Sequence, residues 1–248
     1  MRRAGAARFP GAEGRIPNFV GAEAAAERLR ARPEWQRAAT LKANPDSPQL
    51  PVRQRALQDG KTVFMAVPRL ADRRPFFLLD PSSLPVSPRQ AASISGASRF
   101  GRPVALEEVE PVDVVVAGCV AVSPDGARLG KGGGFSDLEY ALGWELGLIG
   151  PSTVVATTVH EAQVVDAGRV PLTAHDFRLD LIVTPERVIV CPRGRRRPAG
   201  VRWAELTEEK VDAIPVLRRL REAPREADGV RAASSGPGAP RGRRRTPR

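Results

Sequence analysis

Two cysteines, two histidines and a single tyrosine are all that 248 residues contain, and each scarcity removes a class of protein. Cys119 and Cys191 stand far apart, each in or beside an apolar run. They make no disulfide framework and are expected as buried, reduced thiols in a cytoplasmic chain. One histidine in each of two distant segments, His160 and His175, makes no zinc set with those cysteines. No apolar run approaches the ~18 residues that span a bilayer. No charged-then-apolar leader opens the chain, so no membrane partner is expected. Several motifs are missing as well. There is no G-x-x-x-x-G-K-[ST] and no correctly spaced G-x-G-x-x-G. Neither Ser95 nor Ser123 lies in a G-x-S-x-G context, and no aromatic RNA-recognition motif occurs.

What the chain does contain is enough apolar residue, 42%, to bury a real core in one domain. The net charge of +11 is unevenly placed. Residues 224–248 hold seven Arg against one Glu and one Asp, a net +5, so much of the basic signal belongs to a tail. Pro, Gly, Ser, Ala and Arg dominate there, which predicts disorder. The expected organisation is an amino-terminal tail over 1–14, one domain over 15–222 and a disordered tail over 223–248. The runs RGRRRP (193–198) and RGRRR (241–245) attract phosphate backbones. They lack interleaved aromatics for stacking on bases. Any nucleic-acid affinity is therefore expected to be nonspecific and carried by the Arg-rich tail.

Helices are predicted over 22–31, over 51–61 with Pro51 in the first turn and Gly60 past the end, over 137–148, and over 207–222 with a break near Pro215. Strands are predicted over 62–68, 75–81, within 112–122, and over 153–159, 179–185 and 187–191. Strands separated by helical segments imply a layered α/β domain with a largely parallel or mixed sheet. Trp35, Trp144 and Trp203 are expected as packing residues, His160 as a hydrogen-bonded structural residue, and Glu139 and Glu145 as solvent-facing.

GARLGKGGGFSDLE, residues 126–139, is the richest stretch. Gly130, Gly132, Gly133 and Gly134 lack the Cβ atoms that block positive φ and close ligand approach. Their backbone N–H groups can converge on an anion, and the helix that follows adds its positive end. Arg128 and Lys131 bring full charges. Asp137 could hold a divalent cation shared with phosphate oxygens. By composition alone, a plain Gly loop with Asp137 as a helix cap fits equally well.

RLGKGGGFSDLE resembles the signature of the 5-formyltetrahydrofolate cyclo-ligase family, the methenyltetrahydrofolate synthetases. That signature runs basic residue, Leu-Gly, basic residue, Gly-rich stretch, aromatic, Asp. RIPNFVGAEAAAERL (15–29), KANPDSPQLPVR (42–53) and GKTVFMAVPRL (60–70) are similar to the amino-terminal half of its branch of methenyltetrahydrofolate synthase domain proteins. GWELGLI, VHEAQVVD (159–166) and HDFRLDLIVTPERVI (175–189) are similar to the rest. The likeness runs in order over about residues 15–192.

The resemblance implies a three-layer α/β/α fold (NagB/RpiA/CoA-transferase-like) that binds ATP, Mg²⁺ and a reduced folate. It implies ATP-dependent conversion of 5-formyltetrahydrofolate to 5,10-methenyltetrahydrofolate, with ADP and phosphate released. Carried over by position, Arg128 and Lys131 are the catalytic cations. Arg128, Gly130, Lys131, Gly132, Gly133 and Gly134 line the phosphates. Lys131, Phe135 and Asp46 meet the substrate, and Asp137 and Asp176 hold the metal, with Asp180 a weaker candidate. The chain departs from the family pattern in two places. Phe135-Ser136 replaces a Tyr-Tyr pair. The opening helix with Lys-x-x-x-Arg has no counterpart in MRRAGAARFPGAEGRIPNF. Either the start lies further upstream, or the nucleotide site lacks that part and the protein is an impaired relative that binds nucleotide, folate or RNA.

Overall fold

The structure, a computed structural model, describes residues 1, 4–67, 70–192 and 198–222. The expectations for 223–248, and for the arginines of 193–197, lie outside the described residues.

Five short strands run parallel through the centre: β1 (Thr40–Ala43), β2 (Thr62–Ala66), β5 (Val114–Val116), β8 (Val154–Thr158) and β9 (Leu181–Val183). Antiparallel strands close the edges. β3 (Phe76–Leu79) and β4 (Arg102–Val104) follow β2, and β10 (Val188–Val190) pairs with β9. The order is β10-β9-β8-β5-β1-β2-β3-β4. A two-stranded ribbon, β6 (Ala121–Val122) with β7 (Arg128–Leu129), stands apart from this sheet.

Alternation along the strands sends side chains to two cores. Val63 and Met65 of β2 join Leu41, Ala43, Val114 and Val116 on one face. Helices α1 (Ala22–Arg30), α3 (Leu50–Gln58), α4 (Pro88–Ala91) and α5 (Ile94–Phe100) cover it; α2 (Pro33–Arg37) contributes the buried Trp35. Phe64, Val115, Val155 and Ile182 face the other side, beneath α6 (Phe135–Glu145), α7 (Glu208–Ala213) and α8 (Pro215–Glu222). The fold is thus the expected three-layer α/β/α with a mixed, mainly parallel sheet, and β5 and β9 read as unbroken apolar runs because both faces are covered.

Several elements differ from the expectation. β1 sits at the middle of the sheet, yet TLKA is four residues long and carries a lysine, so its pattern gave no strand signal. Pro33 opens α2 instead of merely following α1, as proline is tolerated in a first helical turn. α6 starts at Phe135, two residues early, because Gly134 takes φ +64° at its N-cap. The break expected near Pro215 is present, between α7 and α8. Among the described residues, no helix is long and apolar enough to cross a membrane.

Candidate functional site

Chain direction in the sheet decides where a ligand can sit. From β1 the chain moves through α3 to β2 on one side, whereas β5 pairs on the other. In open α/β sheets, ligands occupy the crevice outside the carboxyl ends of strands where the order reverses. Here that crevice lies between the exits of β1 (Asn44, Pro45, Asp46) and β5 (Ala117, Gly118).

Asp46 and Gly118 lie against one another in that crevice. A Cβ on Gly118 would fall 2.8 Å from Asp46 Oδ2, 3.2 Å from Gln49 Oε1 and 3.2 Å from Ile16 Cγ1. Only glycine fits. Gln49 is fully buried, and its Oε1 has no hydrogen-bond partner among the described residues. Burial lifts the Asp46 carboxyl above its ordinary value, against the opposing pull of Lys131, Arg53 and Lys42. The exit of β1 is clamped from below by Arg53, which is buried and donates to the carbonyls of Asn44, Asp46, Pro45 and Ala92. Burial pulls its guanidinium down to about 10, so it stays charged at neutral pH.

The β6–β7 ribbon then delivers the glycine loop to this crevice. Lys131 Nζ stands 3.8 Å from Asp46 Oδ1, with more than half of its side chain exposed. Gly132 and Gly134 take φ of +91° and +64°, and the loop runs directly into the amino terminus of α6, where partial positive charge collects. Phe135 is the first residue of that helix.

Arg128 behaves differently from Lys131. Its guanidinium lies 3.8 Å above the Phe177 ring and pairs with Asp137, and its side chain is almost wholly buried. Asp137 Oδ1 also accepts from Phe177 N at 3.4 Å, which ties the amino-terminal turn of α6 to the residue after Asp176. Asp176 is occupied as a turn cap, accepting from Thr173 N at 2.6 Å and Thr173 Oγ1 at 2.8 Å. Asp180 accepts from Val155 N at 2.7 Å and ties β9's entry to β8. Among the described residues, no three His, Cys, Asp or Glu side chains converge as a metal cage. A magnesium ion needs no such cage, since one or two carboxylates with phosphate and water suffice; here Asp137 is paired with Arg128 and Asp176 is engaged by Thr173.

Glu139, expected to face solvent, does not. It is buried and pairs with Lys42 from β1, which also donates to Asn44 Oδ1 at 3.2 Å. Asn44 Nδ2 in turn donates to Ser136 Oγ at 2.7 Å. This network fastens the start of α6, and so the glycine loop, to the end of β1. Sequence reading missed Lys42, Asn44, Ser136 and Glu139 as a group because nothing local links positions 42–44 to 136–139. The other bystanders sit as expected. His160 Nδ1 accepts from Ala162 N at 3.1 Å and packs edge-on to Phe19. Cys119 and Cys191 are buried free thiols, and Trp35 is buried in the core.

Known proteins resemble this chain over most of its length. Residues 7–185 match the model of the 5-formyltetrahydrofolate cyclo-ligase family. The chain is 39% identical over 237 residues to the methenyltetrahydrofolate synthase domain-containing protein of Bos taurus, covering 94% of this chain and 62% of that one. It is 41% identical over 216 residues to the protein of the same description from Mus musculus, covering 86% and 58%. The chain thus spans only about three fifths of the curated relatives it matches. A solved NMR structure, the 5,10-methenyltetrahydrofolate synthetase of Aquifex aeolicus, aligns at 22% identity and a TM-score of 0.48, over 71% of this chain and 84% of that one.

Proposed function

The chain belongs to the 5-formyltetrahydrofolate cyclo-ligase family, and we propose that it converts 5-formyltetrahydrofolate to 5,10-methenyltetrahydrofolate at the expense of ATP. The observation that carries this reading is the meeting at the switch-point crevice of the glycine loop, its exposed Lys131, and the half-buried Asp46 3.8 Å away.

The chemistry asks little covalent work of the protein. The formyl oxygen, a poor leaving group, attacks the γ-phosphorus and ADP departs. N10 of the folate then adds to the activated carbon and gives up its proton, and that oxygen leaves as phosphate, which takes the proton up. What the protein must supply is alignment and charge neutralisation. Backbone N–H groups of 130–134 and the first turn of α6 hold the phosphates. Lys131 neutralises charge on the transferred group. Asp46 meets the folate: a partly desolvated carboxyl with a raised proton affinity suits the N–H and amine edge of a pterin. Phe135 offers its ring to the folate. Asp137 and Asp176 would hold the Mg²⁺, which supplies charge neutralisation at the phosphates. Arg128, stacked on Phe177 and paired with Asp137, keeps that carboxylate oriented and its negative charge in check.

The test is direct. Purified protein with 5-formyltetrahydrofolate, ATP and Mg²⁺ should develop the near-ultraviolet absorbance of the methenyl product and release ADP in equal amount. Lys131→Ala should reduce turnover by about 10²-fold or more, the usual loss of one charge-stabilising group. Absence of turnover with folate and MgATP both saturating would remove the proposal.

A further inference from the structure

The family match ends at residue 185, yet the fold does not. Residues 198–222 return across α6. Glu145 accepts from Val201 N at 2.7 Å. Glu205 meets His175 at 2.9 Å, beside Asp176. Val211, Ile214, Val216 and Leu217 are buried in the same core as Tyr140 and Phe177. This return brings one more cation to the glycine loop. Lys210 Nζ donates to Gly133 O at 3.4 Å. It lies 5.6 Å from the centre of the Phe135 ring and 3.2 Å from where a Cβ on Gly134 would stand. A cavity of about 80 Å³ between Asp137, Leu138, His175, Glu205 and Lys210 marks the seam.

Arg128 and Lys131 each face a carboxylate, whereas Lys210 makes no ion pair among the described residues. Its position is fixed by its neighbours. Val211 is buried, and the Thr207 hydroxyl caps the first turn of α7 by accepting from Lys210 N at 3.2 Å.

We infer that Lys210 is a positioning residue that sets the anion affinity of the glycine loop, an inference that rests on the nucleotide reading above. The peptide unit is planar and trans, so its C=O and N–H point in opposite directions. By holding the Gly133 carbonyl, the ammonium aims the N–H of Gly134 away from itself, to the opposite side of the loop. A Gly-Gly peptide has no side chain to lock that orientation, and without the ammonium it is free to turn over and present a carbonyl to the anion.

The experiment compares wild type, Lys210→Met and Lys210→Arg in the full chain. Binding of ATP and of inorganic tripolyphosphate is measured by calorimetry, alongside thermal unfolding and the amide NMR shift of Gly134. Lys210→Met is expected to bind both anions roughly tenfold more weakly, the worth of one charge-assisted hydrogen bond, with an unchanged unfolding midpoint and a displaced Gly134 amide signal. Lys210→Arg should restore most of the affinity. Equal binding by wild type and Lys210→Met overturns the inference and leaves the proposed function standing. Loss of affinity in both variants with a lowered midpoint also overturns it, since the role is then general packing. Failure of the wild type to bind either anion removes this inference and the ATP reading together.

Discussion

Replacing Lys42 by methionine isolates the buried pair that joins β1 to α6. Lys42 and Glu139 leave 7% and 5% of their side chains exposed. Methionine keeps most of the lysine stem, so the packing loss is small and the main change is electrostatic. Glu139 would remain in the core without its cation, and Asn44 Oδ1 would lose its donor. Breaking a buried pair from one side costs about 3–5 kcal/mol, because the surviving charge is uncompensated. For a domain of this size each kcal/mol lowers the midpoint by roughly 2–4 °C, so the fall should lie between roughly 6 and 20 °C. Thermal and urea unfolding followed by circular dichroism would measure it. The double variant Lys42→Met/Glu139→Leu removes both charges and should recover most of the loss, since apolar replacement of a whole buried pair is often neutral. A single variant within about 1 kcal/mol of wild type, the spread of an ordinary substitution, would refute the reasoning. So would a double variant no better than the single one.

Three further outcomes follow from the same geometry. Because burial raises the Asp46 carboxyl, the folded state holds that proton more tightly than the unfolded chain, and stability falls as pH rises from the unfolded value through the raised folded one. Asp46→Asn should flatten the stability profile over that acid window; an unaltered slope would contradict the assignment. Gly118→Ala forces a methyl group to 2.8 Å from Asp46 Oδ2 and should cost about 1–3 kcal/mol by overpacking, with weakened folate binding; unaltered denaturant midpoint and affinity would count against the crevice. Burial pushes the Cys191 thiol up to about 12 and raises Cys119 as well, so a thiolate-trapping disulfide reagent at pH 8 should leave both unlabelled until denaturant is added. Rapid native labelling would show the thiols to be accessible.

Local composition shows why some of the fold could be read directly. TVFMAVP, TVVATTV and RVIVC are β-branched and bounded by breakers, so local preference and tertiary role agree, and the strands fall where expected. α1 and α3 follow from Ala, Leu and Glu content and from Pro51 and Gly60. The ribbon β6–β7 and β1 could not be read in the same way. Two-residue strands have no period to detect, and Lys42 in a central strand contradicts the rule that buried strands are apolar. It is tolerated only because Glu139, 97 positions away, neutralises it.

By itself the chain determined the glycine loop. Consecutive residues without Cβ atoms, a neighbouring Lys and a following helix start are local facts, and they open to the backbone the positive-φ conformations that can surround an anion. Tertiary structure decided what that loop confronts. The reversal of strand order set Asp46 across from Lys131, buried Arg128 against Phe177 and Asp137, and returned residues 198–222 to place Lys210 beneath Gly133. Those partners are chosen by packing on the two sides of a sheet. A contact of that kind leaves no periodic trace in the linear order of residues, because its cause is the burial of distant apolar faces against one another.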